Sequence, residues 1–319
     1  MKDISSVPLT VVEAPMGYGK TTAVRETLRT LNAQVLWQSV YSDRTQDFWQ
    51  DFCDIFSQIN PAGAEKLRSM NLPIDSALCR EATKLMKGFH FSQTSFWVID
   101  DYHLIQSPKV DAFLEGLLRD LPTGLHLVVI TRAAFFLDTA EARLKGQVSH
   151  VGIESLQFSP SDVSKYYRLC GFTVTEKEQA FLYSQSEGWV SALYLFMLEF
   201  IAKGSITGKE DMKELIRQTV YAPLRGELKS FLLCLGIFDH FDLSQATYMC
   251  PDKNAEVLLE ELLFQNAFIT KGGFFAGYHL HNLFSACVRE VFAKLPDGQR
   301  HAIWKRAGGW YVKQKEYLR

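Results

Sequence analysis

Residues 13–22 read Glu13-Ala14-Pro15-Met16-Gly17-Tyr18-Gly19-Lys20-Thr21-Thr22. An apolar run, Leu9-Thr10-Val11-Val12, precedes them, and Val24, Leu28 and Leu31 share one helical face just after them. Strand, glycine-rich turn, Lys-Thr and helix is the order of a P-loop. A polyphosphate needs many donors close together and no side chains in the way. Gly17 and Gly19 open the backbone N–H groups, and the following helix presents its positive end. Lys20 is placed to reach β- and γ-phosphates, and Thr21 to set its hydroxyl on Mg²⁺. The usual pattern, G-x-x-x-x-G-K-[ST], has Ala14 at its first glycine, a residue small enough for the loop to close. Ala14, Pro15, Gly17, Tyr18, Gly19, Lys20, Thr21 and Thr22 form the candidate nucleotide-binding set for ATP or ADP.

Working outward, Phe96-Trp97-Val98-Ile99-Asp100-Asp101 is four apolar residues ending in two acids. A carboxylate at the C-terminal edge of such a strand can hold Mg²⁺ through water, the role expected of Asp100. A second acid can polarise an attacking water, which makes Asp101 the candidate base. A solvated acidic pair at a strand end is the plainer alternative. A third run, Leu125 to Ile130, ends in Thr131-Arg132. Arg132 can fork onto phosphate oxygens, or simply face solvent at a strand end.

These continuous apolar strands alternate with amphipathic stretches, for example Phe48, Phe52, Ile55, Phe56 and Ile59. That alternation predicts an α/β P-loop NTPase whose parallel sheet is covered on both faces. The pattern changes near residue 155, giving a nucleotide-binding domain over 1–155. Ser159-Pro160-Ser161-Asp162 opens a helix, and a helical domain is expected over 156–219. Helices at 223–238, 244–250 and 254–266 are followed by a hairpin signal. Its strands are expected at Phe268-Ile269-Thr270 and Phe274-Phe275-Ala276. Helices followed by a small hairpin predict a winged-helix domain over 220–295, with a further helical region starting at 296–319.

The chain has 319 residues, 47% of them hydrophobic and 22% charged, the values of a globular protein with a sizeable core. A formal net charge of −2 argues against an extended nucleic-acid surface. None of the six cysteines forms C-x-x-C, so reduced thiols in a cytoplasmic protein are expected. The apolar start is too short for a signal-peptide core, and no apolar run is long enough for a transmembrane helix.

Ala14-Pro15-Met16-Gly17-Tyr18-Gly19-Lys20-Thr21-Thr22 resembles the A-P-A-G-Y-G-K-T-T loop of the LuxR-family, MalT-like ATP-dependent regulators. Val98-Ile99-Asp100-Asp101-Tyr102-His103-Leu104-Ile105 is similar to that family's second nucleotide motif. Ser186-Glu187-Gly188-Trp189-Val190-Ser191-Ala192-Leu193 resembles its E-G-W-x-x-A-L segment, and Tyr278-His279-Leu280-His281-Asn282-Leu283-Phe284 its Y-H-x-L-F segment. The four occur in the family's order and span nearly the whole chain.

The resemblance implies a signal-transduction ATPase of the STAND class that acts as a switch. ADP would hold a closed monomer with the winged helix folded onto the nucleotide. ATP with an inducer would favour an open, self-associating form, and slow Mg²⁺-dependent hydrolysis would reset it. It also implies that His281, with His279 as the second choice, contacts the nucleotide's β-phosphate. Ordinary histidines at a strand–helix junction are the alternative. Trp189 reads as a core anchor. Inducer and DNA would be bound by helical repeats and a helix-turn-helix absent from these residues, so the chain reads as part of a longer regulator or a truncated relative. The family's basic, proline-containing segment before the first strand is missing here, which leaves adenine recognition open. Two other readings compete: a small-molecule P-loop kinase, which needs an arginine-rich lid not evident between the motifs, and a binding-only module with a decayed site.

Overall fold

A computed structural model describes residues 4–314, apart from 32, 92–93, 106, 136, 138, 204–212, 215, 265–267 and 272–276. The chain divides into two compact units, Met1–Leu156 and Gln157–Arg319.

The first unit is built on five strands: β1 (Leu9–Glu13), β2 (Gln34–Ser39), β3 (Ser95–Asp100), β4 (Leu125–Thr131) and β5 (Val148–Val151). They pair in the order β2-β3-β4-β1-β5, every pair parallel. Helices α1 (Lys20–Thr30), α2 (Thr45–Phe56), α3 (Pro61–Met70), α4 (Ser76–Lys87), α5 (Pro108–Leu118), α6 (Ala140–Leu144) and α7 (Ile153–Leu156) complete the unit. All six residues of β3 are buried, as a central strand covered on both faces requires. Trp97 of β3 packs among Phe52, Phe56 and Phe113, with ring centroids 4.9, 5.6 and 6.5 Å away. Its indole N–H donates to Gln38 Oε1 (3.0 Å), and the Gln38 amide donates to the Phe48 carbonyl (2.8 Å). The one amide in this aromatic core is thus satisfied on both ends. Asn60, Asp75 and Ser107 cap α3, α4 and α5 through their side-chain oxygens.

The second unit begins with α8 (Pro160–Leu169), α9 (Glu176–Ser186) and α10 (Val190–Lys203). Capping boxes start the first two: Ser159 with Asp162, and Thr175 with Glu178. A short π-helical turn, Arg217–Tyr221, leads into α11 (Gly226–Leu235), β6 (His240–Phe241), α12 (Leu243–Met249) and α13 (Ala255–Phe264). Next come β7 (Ile269–Lys271), β8 (Tyr278–Leu280), α14 (Asn282–Ala293) and α15 (Asp297–Lys313). The strands form an antiparallel sheet in the order β6-β8-β7. Helix, short strand, two helices and hairpin is a winged-helix arrangement. The partner of β7 is β8 at 278–280; the expected second strand, Phe274-Phe275-Ala276, lies outside the described residues.

Ser186-Glu187-Gly188-Trp189 forms the turn between α9 and α10. Glu187 (φ 48°) and Gly188 (φ 74°) are both left-handed. A Cβ on Gly188 would stand 2.2 Å from the Phe158 carbonyl oxygen, so only glycine fits. Trp189 is fully buried against Phe268, centroids 5.1 Å apart, which is the core role expected of it. Among the described residues, no helix is long and apolar enough to cross a membrane.

Candidate functional site

β1, an interior strand between β4 and β5, delivers the loop. Ala14 is fully buried and extends the β1–β4 ladder, its N–H donating to the Thr131 carbonyl (3.4 Å). Gly17 (φ 84°) and Gly19 (φ 72°) take the left-handed conformations that turn the chain into α1, and Gly19 is that helix's N-cap. Tyr18 is buried and Thr22 is exposed.

Lys20 is the first residue of α1 and is only 7% exposed. Its ammonium folds over the loop and donates to the carbonyls of Ala14 (2.7 Å) and Pro15 (2.9 Å). Burial, then the Arg132 charge, push its pKa down to about 8, while Asp101 and Asp100 pull it back up. At the next position, the Thr21 hydroxyl lies 3.2 Å from both oxygens of Asp100. Burial and the neighbouring Asp101 raise the Asp100 pKa; the Thr21 hydroxyl and the Asp101 N–H (3.0 Å) act against that.

Asp101 follows the end of β3 in a left-handed conformation (φ 58°) and starts a 3-10 turn, Tyr102–Leu104. Its Oδ1 accepts from Arg132 Nε (3.3 Å) and faces Arg132 Nη2 at 3.2 Å. Arg132 comes from the residue after β4, the strand beside β3. Lys20, Thr21, Asp100, Asp101 and Arg132 therefore converge at the C-terminal edge of β1, β3 and β4, the place where open parallel sheets take ligands.

Two neighbours of this cluster escaped the sequence reading. Glu13, at the end of β1, accepts from the Phe135 N–H (3.2 Å) and approaches His150 Nε2 at 3.4 Å. His103 lies in the turn after β3, its Nδ1 3.8 Å from Asp101 Oδ1. Its presence within the second motif was the available signal.

His281 belongs to the second unit, where it is 6% exposed and is the N-cap of α14. Its Nδ1 accepts from the Leu283 N–H (3.3 Å), and its Nε2–H donates to the Ser186 carbonyl (3.0 Å). Burial lowers its pKa, and this bonding selects the neutral ring with its proton on Nε2. His279 pairs instead with Glu187 (3.5 Å), which raises the histidine's pKa. The second Glu187 oxygen accepts from the Asn282 N–H (2.8 Å).

A glycine loop between the first strand and helix, with an acid-ended strand one place beyond β4 in the same parallel sheet, defines a P-loop NTPase fold. The Walker-type ATPase PABY2304 of Pyrococcus abyssi shares this architecture at a TM-score of 0.62 and 14% identity, over 90% of this chain and 93% of that one. Residues 216–301 match the family described as the MalT winged helix domain. The HTH-type transcriptional regulator MalT of Vibrio parahaemolyticus is 26% identical over 322 residues, 95% of this chain and 35% of that protein. The MalT proteins of Vibrio cholerae and Yersinia pestis are each 25% identical, with the same coverage. The chain is thus similar to the MalT regulators over nearly its whole length, with a P-loop unit followed by a segment that matches the MalT winged helix domain. It spans about a third of the length of those relatives.

Proposed function

We propose that this chain is the nucleotide-operated switch of a MalT-like transcriptional regulator, binding ATP and ADP with Mg²⁺ and hydrolysing ATP slowly. The observation that carries the reading is the convergence of Lys20, Thr21, Asp100, Asp101 and Arg132 on one sheet edge behind a loop with two left-handed glycines. The donor set suits a magnesium–nucleotide complex: two cations for phosphate oxygens, and a hydroxyl beside a carboxylate for the metal. Mg²⁺, when bound, would neutralise charge on the phosphates. Thr21 and Asp100 are the residues that would hold it, Asp100 through water. Lys20 would exchange its bonds to the Ala14 and Pro15 carbonyls for phosphate oxygens. Arg132 would leave Asp101 for the terminal phosphate, freeing that carboxylate to accept a proton from water.

In this reading His281 answers to the nucleotide by trading the Ser186 carbonyl for a β-phosphate oxygen, since its Nε2–H is the donor available for exchange. Self-association in the ATP state, and inducer and DNA contacts made by further regions, belong to the same proposal and rest on similarity to MalT. So does location in the cytoplasm.

Titration calorimetry with MgATP and MgADP tests the core of it. Wild type is expected to bind both, and Lys20→Ala to lose most of the heat. Equal isotherms for the two proteins would sink the P-loop reading. Asp101→Asn is expected to bind ATP as wild type does and to lose hydrolysis; loss of binding would instead make Asp101 a metal ligand.

A further inference from the structure

His103 sits beside the proposed nucleotide site with a ring nitrogen that makes no hydrogen bond among the described residues. It is the middle residue of the 3-10 turn after β3. Tyr102, immediately before it, is 1% exposed and bonds through its hydroxyl to Asp111 of α5. That anchor, with the left-handed backbone at Asp101, fixes where the side chains of residues 101 and 103 point. His103 Nδ1 is shielded from solvent and has no hydrogen-bond partner among the described residues. A buried polar atom left unmade is costly, and in a native protein it calls for an explanation.

The geometry supplies one. His103 Nδ1 and Asp101 Oδ1 are 3.8 Å apart, too far for a direct hydrogen bond. Two acceptors roughly 4 Å apart can share one water, which gives a proton to each. The neutral imidazole accepts at Nδ1 in the tautomer that carries its proton on Nε2, and the ring is kept neutral: burial, then the Arg132 charge, push it down to about 4, with Asp101 opposing and Lys20 adding to the push.

We infer that Asp101 and His103 together hold the attacking water, which donates one hydrogen bond to Asp101 Oδ1 and one to His103 Nδ1. This inference rests on the hydrolysis proposed above and adds a second positioning group to it. With both protons engaged, the water's free lone pair is directed away from the two acceptors and is available to phosphorus. In the step, the water oxygen bonds to the terminal phosphorus as the bond from that phosphorus to the β,γ-bridging oxygen breaks. The electron pair of that bond leaves with ADP. One water proton passes to Asp101 and then to solvent, so atoms and charge balance. Arg132 now donates to the same Asp101 oxygen, at 3.3 and 3.2 Å. Its departure to a phosphate would clear that oxygen and uncover the shielded His103 Nδ1 beside it, so the water is seated only when a terminal phosphate is there to be attacked.

The test uses the full chain with His103→Leu, His103→Ala and His103→Asn, measuring MgATP affinity by calorimetry and hydrolysis in single turnover. Leucine refills the ring's space without an acceptor and serves where alanine unfolds; asparagine can place its Oδ1 where Nδ1 stands. All folded variants are expected to bind MgATP within about threefold of wild type, a change confined to the chemical step. His103→Leu and His103→Ala are expected to slow the single turnover by roughly 100-fold, and His103→Asn to recover most of it. Leucine turning over within about twofold of wild type overturns the inference, as does asparagine falling as far as leucine. A wild type no faster than Asp101→Asn overturns the hydrolysis reading itself, and the inference with it.

Discussion

If the loop binds nucleotide as proposed, Lys20 makes that binding depend on pH in a direction the structure sets. Its pKa is lowered from 10.5 to about 8 by burial and by Arg132. Below about pH 8 the ammonium is charged in the folded and unfolded chain alike, and the fold carries the full cost of burying it. That cost is relieved as pH rises from about 8 toward the unfolded value. Converted at 1.36 kcal/mol per unit, the shift is about 3 kcal/mol. The charges of Asp101 and Asp100 already offset part of the burial within that figure.

Phosphates bound against Lys20 would favour the charged form, so binding above about pH 8 must take up a proton. The terminal phosphate is itself ionised throughout that range, its last pKa being about 6. With a free-protein pKa of about 8, MgADP affinity should fall about tenfold between pH 7 and pH 9. Calorimetry at about pH 9 in two buffers of different ionisation enthalpy should show uptake approaching one proton per nucleotide. Lys20→Arg keeps its charge across this range, so whatever its affinity, the slope with pH should vanish. An affinity that is flat for wild type between those pH values, with buffer-independent heat, would refute the argument. In the empty protein Lys20→Met removes the buried charge and strands two carbonyls worth about 1 kcal/mol each. It should therefore raise stability at pH 7 by about 1 kcal/mol in urea unfolding.

Three further outcomes follow from packing. Gly188→Ala drives a methyl into the Phe158 backbone at a left-handed position. It should cost roughly 4 kcal/mol and show first as lost hydrogen-exchange protection in α9 and α10. Trp97→Ala opens the aromatic core and strands Gln38; a loss of about 3–5 kcal/mol is expected, read from urea unfolding of the first unit. His281→Ala removes the cap of α14 and unpairs the Ser186 carbonyl. About 2 kcal/mol should be lost from the second unit, measured without nucleotide, and unchanged exchange at the start of α14 would contradict the cap.

What could be read from the residues follows from how they are buried. β1, β3 and β4 are interior strands, so their apolar runs are continuous and their ends could be placed to within a residue. β5, Val148-Ser149-His150-Val151, is an edge strand with one fully buried residue, and its pattern says little. α3 buries only Ala64 and Leu67, too few apolar positions to mark a helix, although its Asn60 cap and Pro61 start are visible afterwards. The residue types proposed to bind phosphate were legible because that chemistry restricts them to a short spacing. The bonds between them were not. Lys20 resting on its own loop, Arg132 held by Asp101, and the orphaned nitrogen of His103 depend on distances between strands, and no spacing along the chain encodes those. His281 shows the same gap: its position was marked, but its bonds to residues 186 and 283 exist only in the folded unit.

The Glu187 turn has a mechanical consequence. Ser186 and Glu187 together take hydrogen bonds or ion pairs from His279, His281 and Asn282, residues more than 90 positions further along the chain. Three short, partly charged ties across a left-handed turn make a stiff joint between the end of α9 and the start of α14. The end of α9 and the start of α14 are thereby held as one piece. Substitutions at this joint should loosen that hold before they alter what is bound.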